Sequence, residues 1–158
     1  MKKTPFIVSF QMISLSFLFS TCLAQQTINA NLEEAKKTIA ASNEIFFQAF
    51  VKGDSSLFID RYSKDCWIMP PNVQALCGVD APLAFFKTAY NTFGVRNGKL
   101  ITIDVFGDGV EFVTEVGFWQ LFGADNKPLD DGKFLVLWKK TMDGWKMFRD
   151  SFSSDRSK

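Results

Sequence analysis

The sequence predicts an α+β domain, with helices first and a curved antiparallel sheet after them. Three observations carry this. Apolar residues recur at helical spacing from Leu32 to Phe50 and again from Leu83 to Phe93. From Lys99 onward the pattern changes to strand-like runs, broken by Gly107-Asp108-Gly109 and by the loop 123–128. The chain closes with two aromatic-rich runs, 132–140 and 145–155, around Met142-Asp143-Gly144, a hairpin turn sequence.

In order along the chain, Asn31 is placed to cap a first helix, with Glu34 as its capping-box partner. Leu32, Ala35, Ile39, Ile45, Phe46, Ala49 and Phe50 supply its apolar side. Lys52-Gly53 supplies a cationic last turn and a glycine stop. Asp54 caps a short second helix reaching about Tyr62, with Leu57 and Phe58 inward. Cys66–Met69 is a strand that Pro70-Pro71-Asn72 interrupts, and Gln74–Cys77 returns as its partner. Asp80 caps a third helix, with Pro82 tolerated in its first turn, and Gly94 ends it. Residues 99–106, 110–122, 133–140 and 145–155 are the later strands. No repeat or low-complexity linker divides the chain after its start.

Residues 1–24 read as a secretory leader. Lys2 and Lys3 precede a mostly apolar run, Phe6–Phe19, and Cys22 and Ala24 stand at the −3 and −1 spacing of a signal peptidase site. The run is shorter than the ~20 apolar residues of a membrane span. Lipid attachment at Cys22 is the other reading, and Phe19-Ser20-Thr21 makes a poor lipobox. Cleavage after Ala24 leaves one domain, 25–158, in a periplasmic or secreted bacterial setting, with no membrane span in the mature chain.

Of 18 basic residues the leader carries two, so the remainder has 16 against 17 acidic ones, a net charge of −1. No basic face stands out, which argues against nucleic acid and anionic membrane surfaces as partners. The chain has no histidine. Nucleophile–histidine pairs and histidine-held zinc or haem are therefore excluded. Any proton transfer has to use Asp, Glu, Lys, Tyr or Cys. No cofactor motif, phosphate loop or metal cluster is visible, and Asp130-Asp131 reads as a solvated turn pair.

Several strands are apolar on both faces. Phe134, Val136 and Trp138 alternate with Leu135 and Leu137, and Val113, Trp119 and Leu121 alternate with Phe112, Val116 and Phe118. One face is expected on the helices and the other on a second copy of the chain. The competing reading covers it with twist and loops of a monomer.

The order of these motifs resembles a known superfamily. Lys52-Gly53-Asp54 lies between helices, and Tyr62-Ser63-Lys64-Asp65 leads into the strand ending Met69-Pro70-Pro71-Asn72. Gly78 and the third helix follow, then Gly132-Lys133, Trp138-Lys139, Gly144-Trp145-Lys146, Asp150 and Ser154-Asp155. Residues 32–155 are similar to the nuclear transport factor 2 and ketosteroid isomerase superfamily, best to the bacterial group related to the SnoaL polyketide cyclases. The resemblance implies a cone-shaped fold, a curved antiparallel sheet wrapped around three helices, with a pocket at its open end and dimerisation through the sheet. It implies no single activity, because members include isomerases, cyclases, dehydratases and binding proteins. Two departures stand out. The ketosteroid isomerases place a catalytic Asp near the end of the first strand, where this chain has Met69 or Pro70. Many close relatives place a His two residues before the last-strand Asp, where this chain has Phe148.

Asp150 is the first candidate for chemistry. By alternation it shares a strand face with Phe148 and Phe152, and a carboxylate between Phe side chains loses solvation and gains a raised pKa. The structural reading is an Asp bonded to backbone amides or a nearby cation. Glu115 is the second candidate, on one face with Val113, Gly117 and Trp119. Gly117 leaves room for something approaching the sheet, and the alternative is an exposed pair with Lys133 or Lys139. Tyr62, Trp67, Asn72, Trp138, Phe148 and Phe152 are candidate pocket wall, with aromatic core the competing role. Lys133 and Arg149 read as solvated charges. If the strands around 70–73 pair symmetrically, Cys66 and Cys77 stand opposite each other within disulfide reach, and otherwise they are small wall residues.

These readings lead to an exported, dimeric domain that binds a small apolar or amphipathic molecule and needs no cofactor. An isomerase, cyclase or dehydratase using Asp150 or Glu115 as proton carrier is the second reading. A structural or protein-binding module with a filled cone is the third.

Overall fold

The computed structural model describes residues 10–156, with side chains from Ala30 onward. Helix α1 runs Phe10–Lys52, α2 Ser55–Ile59 and α3 Ala81–Lys87, which continues into one π turn, Thr88–Thr92. Six strands are β1 Tyr62–Met69, β2 Leu76–Cys77, β3 Asn97–Gly107, β4 Phe112–Phe122, β5 Pro128–Thr141 and β6 Gly144–Ser154. The expected leader falls partly on residues 1–9, which lie outside the described residues, and no side chain of 10–24 is described. Among the described residues no helix is long and apolar enough to cross a membrane.

Asn31 does not begin a helix. The segment Gln25–Ala30 contains no Gly or Pro, and α1 passes through it. Glu34 therefore serves the tertiary structure instead of a capping box. Its carboxylate accepts from Lys140 Nζ at 2.9 Å and Trp145 Nε1 at 3.4 Å, tying α1 to the closing hairpin. The other end of α1 is as expected. Gly53 takes φ 66°, its N–H donates to Phe50 O, and the Asp54 N–H donates to Ala49 O at 2.9 Å. This pattern of bonds closes a Schellman motif. Asp54 Oδ1 then accepts the Ser56 N–H and starts α2. Asp80 makes no side-chain cap on α3, unlike the expectation.

The strand order is β2-β1-β6-β5-β4-β3. The sheet is mixed, because β1 runs parallel to β6 while every other neighbouring pair is antiparallel. A parallel pair needs a long crossover. Here the crossover is everything from β2 to β5, so nothing local announces it.

The parallel β1–β6 register shifts between Tyr62 and Trp67, and three bulges bend the antiparallel ladders. Ile103 is the extra residue between Thr102 and Asp104 in β3, Leu129 is extra in β5, and Phe148 is extra between Met147 and Arg149 in β6. Each bulge increases the local twist and re-aims the residues after it. The helices lie in the hollow of the bent sheet. Ala35, Ile39, Phe46, Phe47, Ala49 and Phe50 form the buried stripe of α1. Phe58 of α2 is fully buried, with ring centroids 4.7 Å from Phe46, 5.5 Å from Phe50, 5.6 Å from Phe86 and 5.2 Å from Tyr62. Such pairs contribute about 0.5–1.5 kcal/mol each beyond the area they bury, and this cluster fixes where the Tyr62 ring can lie.

The cysteine expectation fails on register. Trp67 pairs with Cys77 and Ile68 with Leu76, so the turn is centred on Asn72 itself, at φ 63°. The symmetry assumed from sequence is off by one residue, and a one-residue slip moves every side chain to the opposite face. Cys66 is buried, Cys77 is exposed, and both thiols are free.

Candidate functional site

The inner face of the sheet carries one row of paired residues that crosses five strands: Val105, Glu115, Val136, Asp150 and Ile68. All five are buried. Two of them are carboxylates separated by one strand, which puts their Cα atoms about 10 Å apart at ordinary strand spacing.

Asp150 is 7% exposed. It faces inward because of the bulge at Phe148. Trp145 and Met147 point into the core before the bulge, and Asp150 and Phe152 do so after it. The expected common face of Phe148, Asp150 and Phe152 is therefore wrong for Phe148. Its ring lies on the outer side against Phe112, with the Arg149 guanidinium 3.5 Å and Lys139 Nζ 4.9 Å from the ring centroid.

The Tyr62 hydroxyl donates to Asp150 Oδ2 at 2.7 Å. Burial pushes the Asp150 carboxyl up to about 6, against the opposing pull of the Tyr62 hydrogen bond and with a further push from the Glu115 charge. Burial, the Asp150 charge and the hydrogen bond to it raise the Tyr62 phenol well above its ordinary value. The pair is therefore one phenol that keeps its proton and one carboxyl that titrates close to neutrality.

Asp150 lines an apolar cavity of about 70 Å³ inside the cone. Phe46, Phe47 and Phe50 of α1 form one wall, Phe85 and Ala89 a second, and Trp119, Phe134 and Phe152 of the sheet a third. Asp150 is the one ionisable residue among those lining it. Phe152 takes the wall position the sequence suggested. Trp67, Asn72, Trp138 and Phe148 do not line this cavity, and neither does Tyr62, which reaches it only through its bond to Asp150. Trp67 is 45% exposed on the outer side, near Arg149, and Asn72 is exposed in its turn.

Glu115 is fully buried and shares its face with Val113, Gly117 and Trp119, as expected, but it makes no pair with Lys133 or Lys139. Its Oε1 accepts from Thr102 Oγ1 at 2.6 Å and Asn43 Nδ2 at 2.7 Å, and its Oε2 accepts from Trp138 Nε1 at 3.0 Å. Burial raises its pKa against these three donors. Glu115 joins α1, β3 and β5 from within and does not line the cavity. The space at Gly117 is taken by the Phe134 ring, which a Cβ there would meet at 2.8 Å.

The sequence reading named neither Phe47 nor the donors Asn43 and Thr102. Phe47 belongs to the buried stripe of α1, four residues after Asn43 and three before Phe50. Polar donors at a helix–sheet seam have no sequence signal of their own. Among the described residues no cluster of His, Cys, Asp or Glu could hold a metal ion.

No family model matches this sequence, and no curated protein matches it either. Solved structures do match in fold. A cystatin-like domain of unknown function from Nostoc punctiforme aligns at a TM-score of 0.67 with 16% identity, over 78% of this chain and 79% of that one. An NTF-2-like protein of unknown function from Shewanella oneidensis aligns at 0.63 with 21% identity, over 75% and 98%. A ketosteroid isomerase-like protein from Erwinia carotovora aligns at 0.62 with 20% identity, over 75% and 95%. The chain has the cone-shaped α+β fold of these cystatin-like, NTF-2-like and ketosteroid isomerase-like structures.

Proposed function

We propose that this chain is an exported domain that binds a small apolar or amphipathic molecule in its cone. The observation that carries the reading is Asp150, a solitary carboxyl on the wall of an otherwise apolar cavity, anchored by Tyr62. Ligand sites combine apolar walls with a few fixed polar groups in this way. The cavity as it stands is small. An empty 150 Å³ cavity accepts benzene, so about 70 Å³ admits roughly three heavy atoms on that scale. A larger ligand has to turn Phe rings aside.

Export rests on the leader sequence 1–24 with the domain at 25–158, and its test is the mass of the mature chain, expected to start at Gln25. Dimerisation rests on the outer sheet face. Ile101, Ile103, Phe118 and Leu135 are 45–62% exposed there, and a groove of about 430 Å³ runs between Ile103, Phe118, Lys133 and Leu135. Contiguous apolar surface of this kind marks an interface.

The second reading, an acid–base enzyme of isomerase, cyclase or dehydratase type, is favoured by the Asp150 carboxyl titrating near 6. Glu115 suits that role less, since three protein donors already occupy its oxygens.

The deciding experiment is a screen of small apolar molecules by protein-observed NMR, with Ala89→Leu, which fills the cavity, as the control. Ligands that shift Trp119 and Met147 signals in wild type and lose that effect in the variant support the reading. A screen with no such ligand points to a filled cone with a structural or protein-binding role. Turnover of a bound compound that survives in Asp150→Asn would remove Asp150 from catalysis.

A further inference from the structure

Among the described residues the cone holds two buried carboxylates and no buried cation. Among the described residues neither Glu115 nor Asp150 takes part in an ion pair, and no Lys or Arg side chain is buried. Buried charge is normally paired, because removing it from water without a partner is expensive. Glu115 is compensated by three neutral donors. Asp150 has one, the Tyr62 hydroxyl on Oδ2, and among the described residues no hydrogen bond reaches Oδ1.

That leaves one carboxylate oxygen at the cavity wall, Oδ1, with no donor among the described residues and aromatic rings around it. Phe47, Phe85, Trp119, Phe134 and Phe152 present those rings to the same cavity. Ring faces attract cations, more strongly when water is excluded. A ligand carbonyl would present an acceptor to an acceptor. A primary ammonium carries three N–H groups and would leave at least one of them against hydrocarbon. A tertiary ammonium has one N–H and is apolar elsewhere, so it leaves none unpaired.

Building on the ligand-cavity reading above, we propose that the cavity selects small tertiary ammonium cations, with the single N–H donated to Asp150 Oδ1 and the alkyl groups lying on the aromatic rings. The cation supplies the charge partner that the core lacks, and the bond it makes is a charge-assisted one. Trimethylammonium, at four heavy atoms, is close to the size the cavity admits.

The test compares trimethylammonium chloride with acetone at pH 7.5. The two have equal heavy-atom counts and opposite hydrogen-bonding polarity. Binding is followed by NMR at the Trp119 indole and the Met147 methyl in wild type, Asp150→Asn and Ala89→Leu. The expected result is trimethylammonium binding at least tenfold tighter than acetone in wild type. Its affinity falls at least tenfold in Asp150→Asn, while acetone does not weaken there. Both are lost in Ala89→Leu. Acetone binding as tightly as trimethylammonium overturns the ammonium proposal and leaves the ligand cavity standing. If neither compound shifts either signal, the proposal and the ligand-cavity reading both fall. The wild-type comparison decides the polarity even if Asp150→Asn does not fold.

Discussion

Tyr62 and Asp150, 88 residues apart in the chain, meet through a 2.7 Å hydrogen bond at the wall of the cone. The bond depends on two features of unrelated origin. The Phe46–Phe50–Phe58 cluster sets the Tyr62 ring, and the bulge at Phe148 turns Asp150 inward. Neither feature alone would place a titrating carboxyl in an apolar cavity.

The first consequence is a pH dependence of stability with an unusual sign. The Asp150 carboxyl titrates at about 6 in the fold against an ordinary 3.8. Between those values the folded state binds the extra proton, so stability falls as pH rises through the window and is lowest above it. A gap of about two pH units corresponds to about 3 kcal/mol. Asp150→Asn, which keeps an oxygen for the Tyr62 hydroxyl, is expected to flatten this dependence and to be the more stable protein at pH 7.5. Urea denaturation of both proteins at pH 4.5 and 7.5 measures it, and equal slopes against pH would remove Asp150 as the cause.

Tyr62→Phe isolates the hydrogen bond. At pH 7.5 the Asp150 carboxylate then has no donor, and the loss is expected at about 1–3 kcal/mol. At pH 4.5 the carboxyl is protonated and the loss shrinks. The same Tyr62 substitution in an Asp150→Asn background costs less than in wild type, and the double-mutant cycle reports the coupling directly.

Much of the fold was legible because its signals are local. Gly53 with Asp54 ends α1 and begins α2 within a few residues, and Met142-Asp143-Gly144 fixes the closing hairpin. What stayed hidden is non-local or leaves no compositional mark. The bulge at Phe148 looks like any other residue in an apolar strand, yet it decides which side chains accompany Asp150. The β1–β6 parallel pairing joins segments some eighty residues apart. The Cys66–Cys77 expectation turned on whether the turn is centred on Asn72 or beside it, which depends on Asn72 adopting a left-handed φ. Asp150 and Glu115 were visible as candidates from their apolar neighbours. Their partners were not, since Asn43, Thr102 and Tyr62 arrive from other elements.

Glu115 makes a different prediction. Its carboxylate satisfies donors from α1, β3 and β5 at once. Glu115→Ala leaves those groups unpaired beside a cavity, and a loss of about 3–5 kcal/mol follows from the two effects together. Thr102→Val removes one donor with little change in shape and is expected to cost about 1 kcal/mol. Thermal or urea unfolding distinguishes the two, and a Glu115→Ala protein as stable as Thr102→Val would mean that Glu115 does not join the three elements.

The cysteines give a chemical readout of the register. Burial pushes the Cys66 thiol up to about 11, and its Sγ lies 3.5 Å from Gly78 O, while Cys77 is exposed. Iodoacetamide at pH 8 is expected to label Cys77 in the native protein and Cys66 only after denaturation, because the thiolate is the nucleophile and needs access. Peptide mass mapping locates the label. A disulfide-linked peptide containing both residues would mean that the strands pair one residue away from the register Trp67↔Cys77.

The outer sheet face supplies the last test. Phe118 and Leu135 stand on adjacent strands with nearly half of each exposed, and a charge at either position is solvated in a monomer but buried in a sheet-to-sheet dimer. Leu135→Glu is therefore expected to leave the fold intact by circular dichroism. It should convert a dimer to monomers in sedimentation velocity, with a penalty of several kcal/mol for an unpaired buried carboxylate in the interface. Leu135→Lys serves as the companion, since a positive charge beside Lys133 should dissociate the pair at least as well. If wild type already sediments as a monomer at micromolar concentration, the apolar outer face has another purpose. The groove between Ile103, Phe118 and Leu135 then becomes the surface on which to look for a different protein partner.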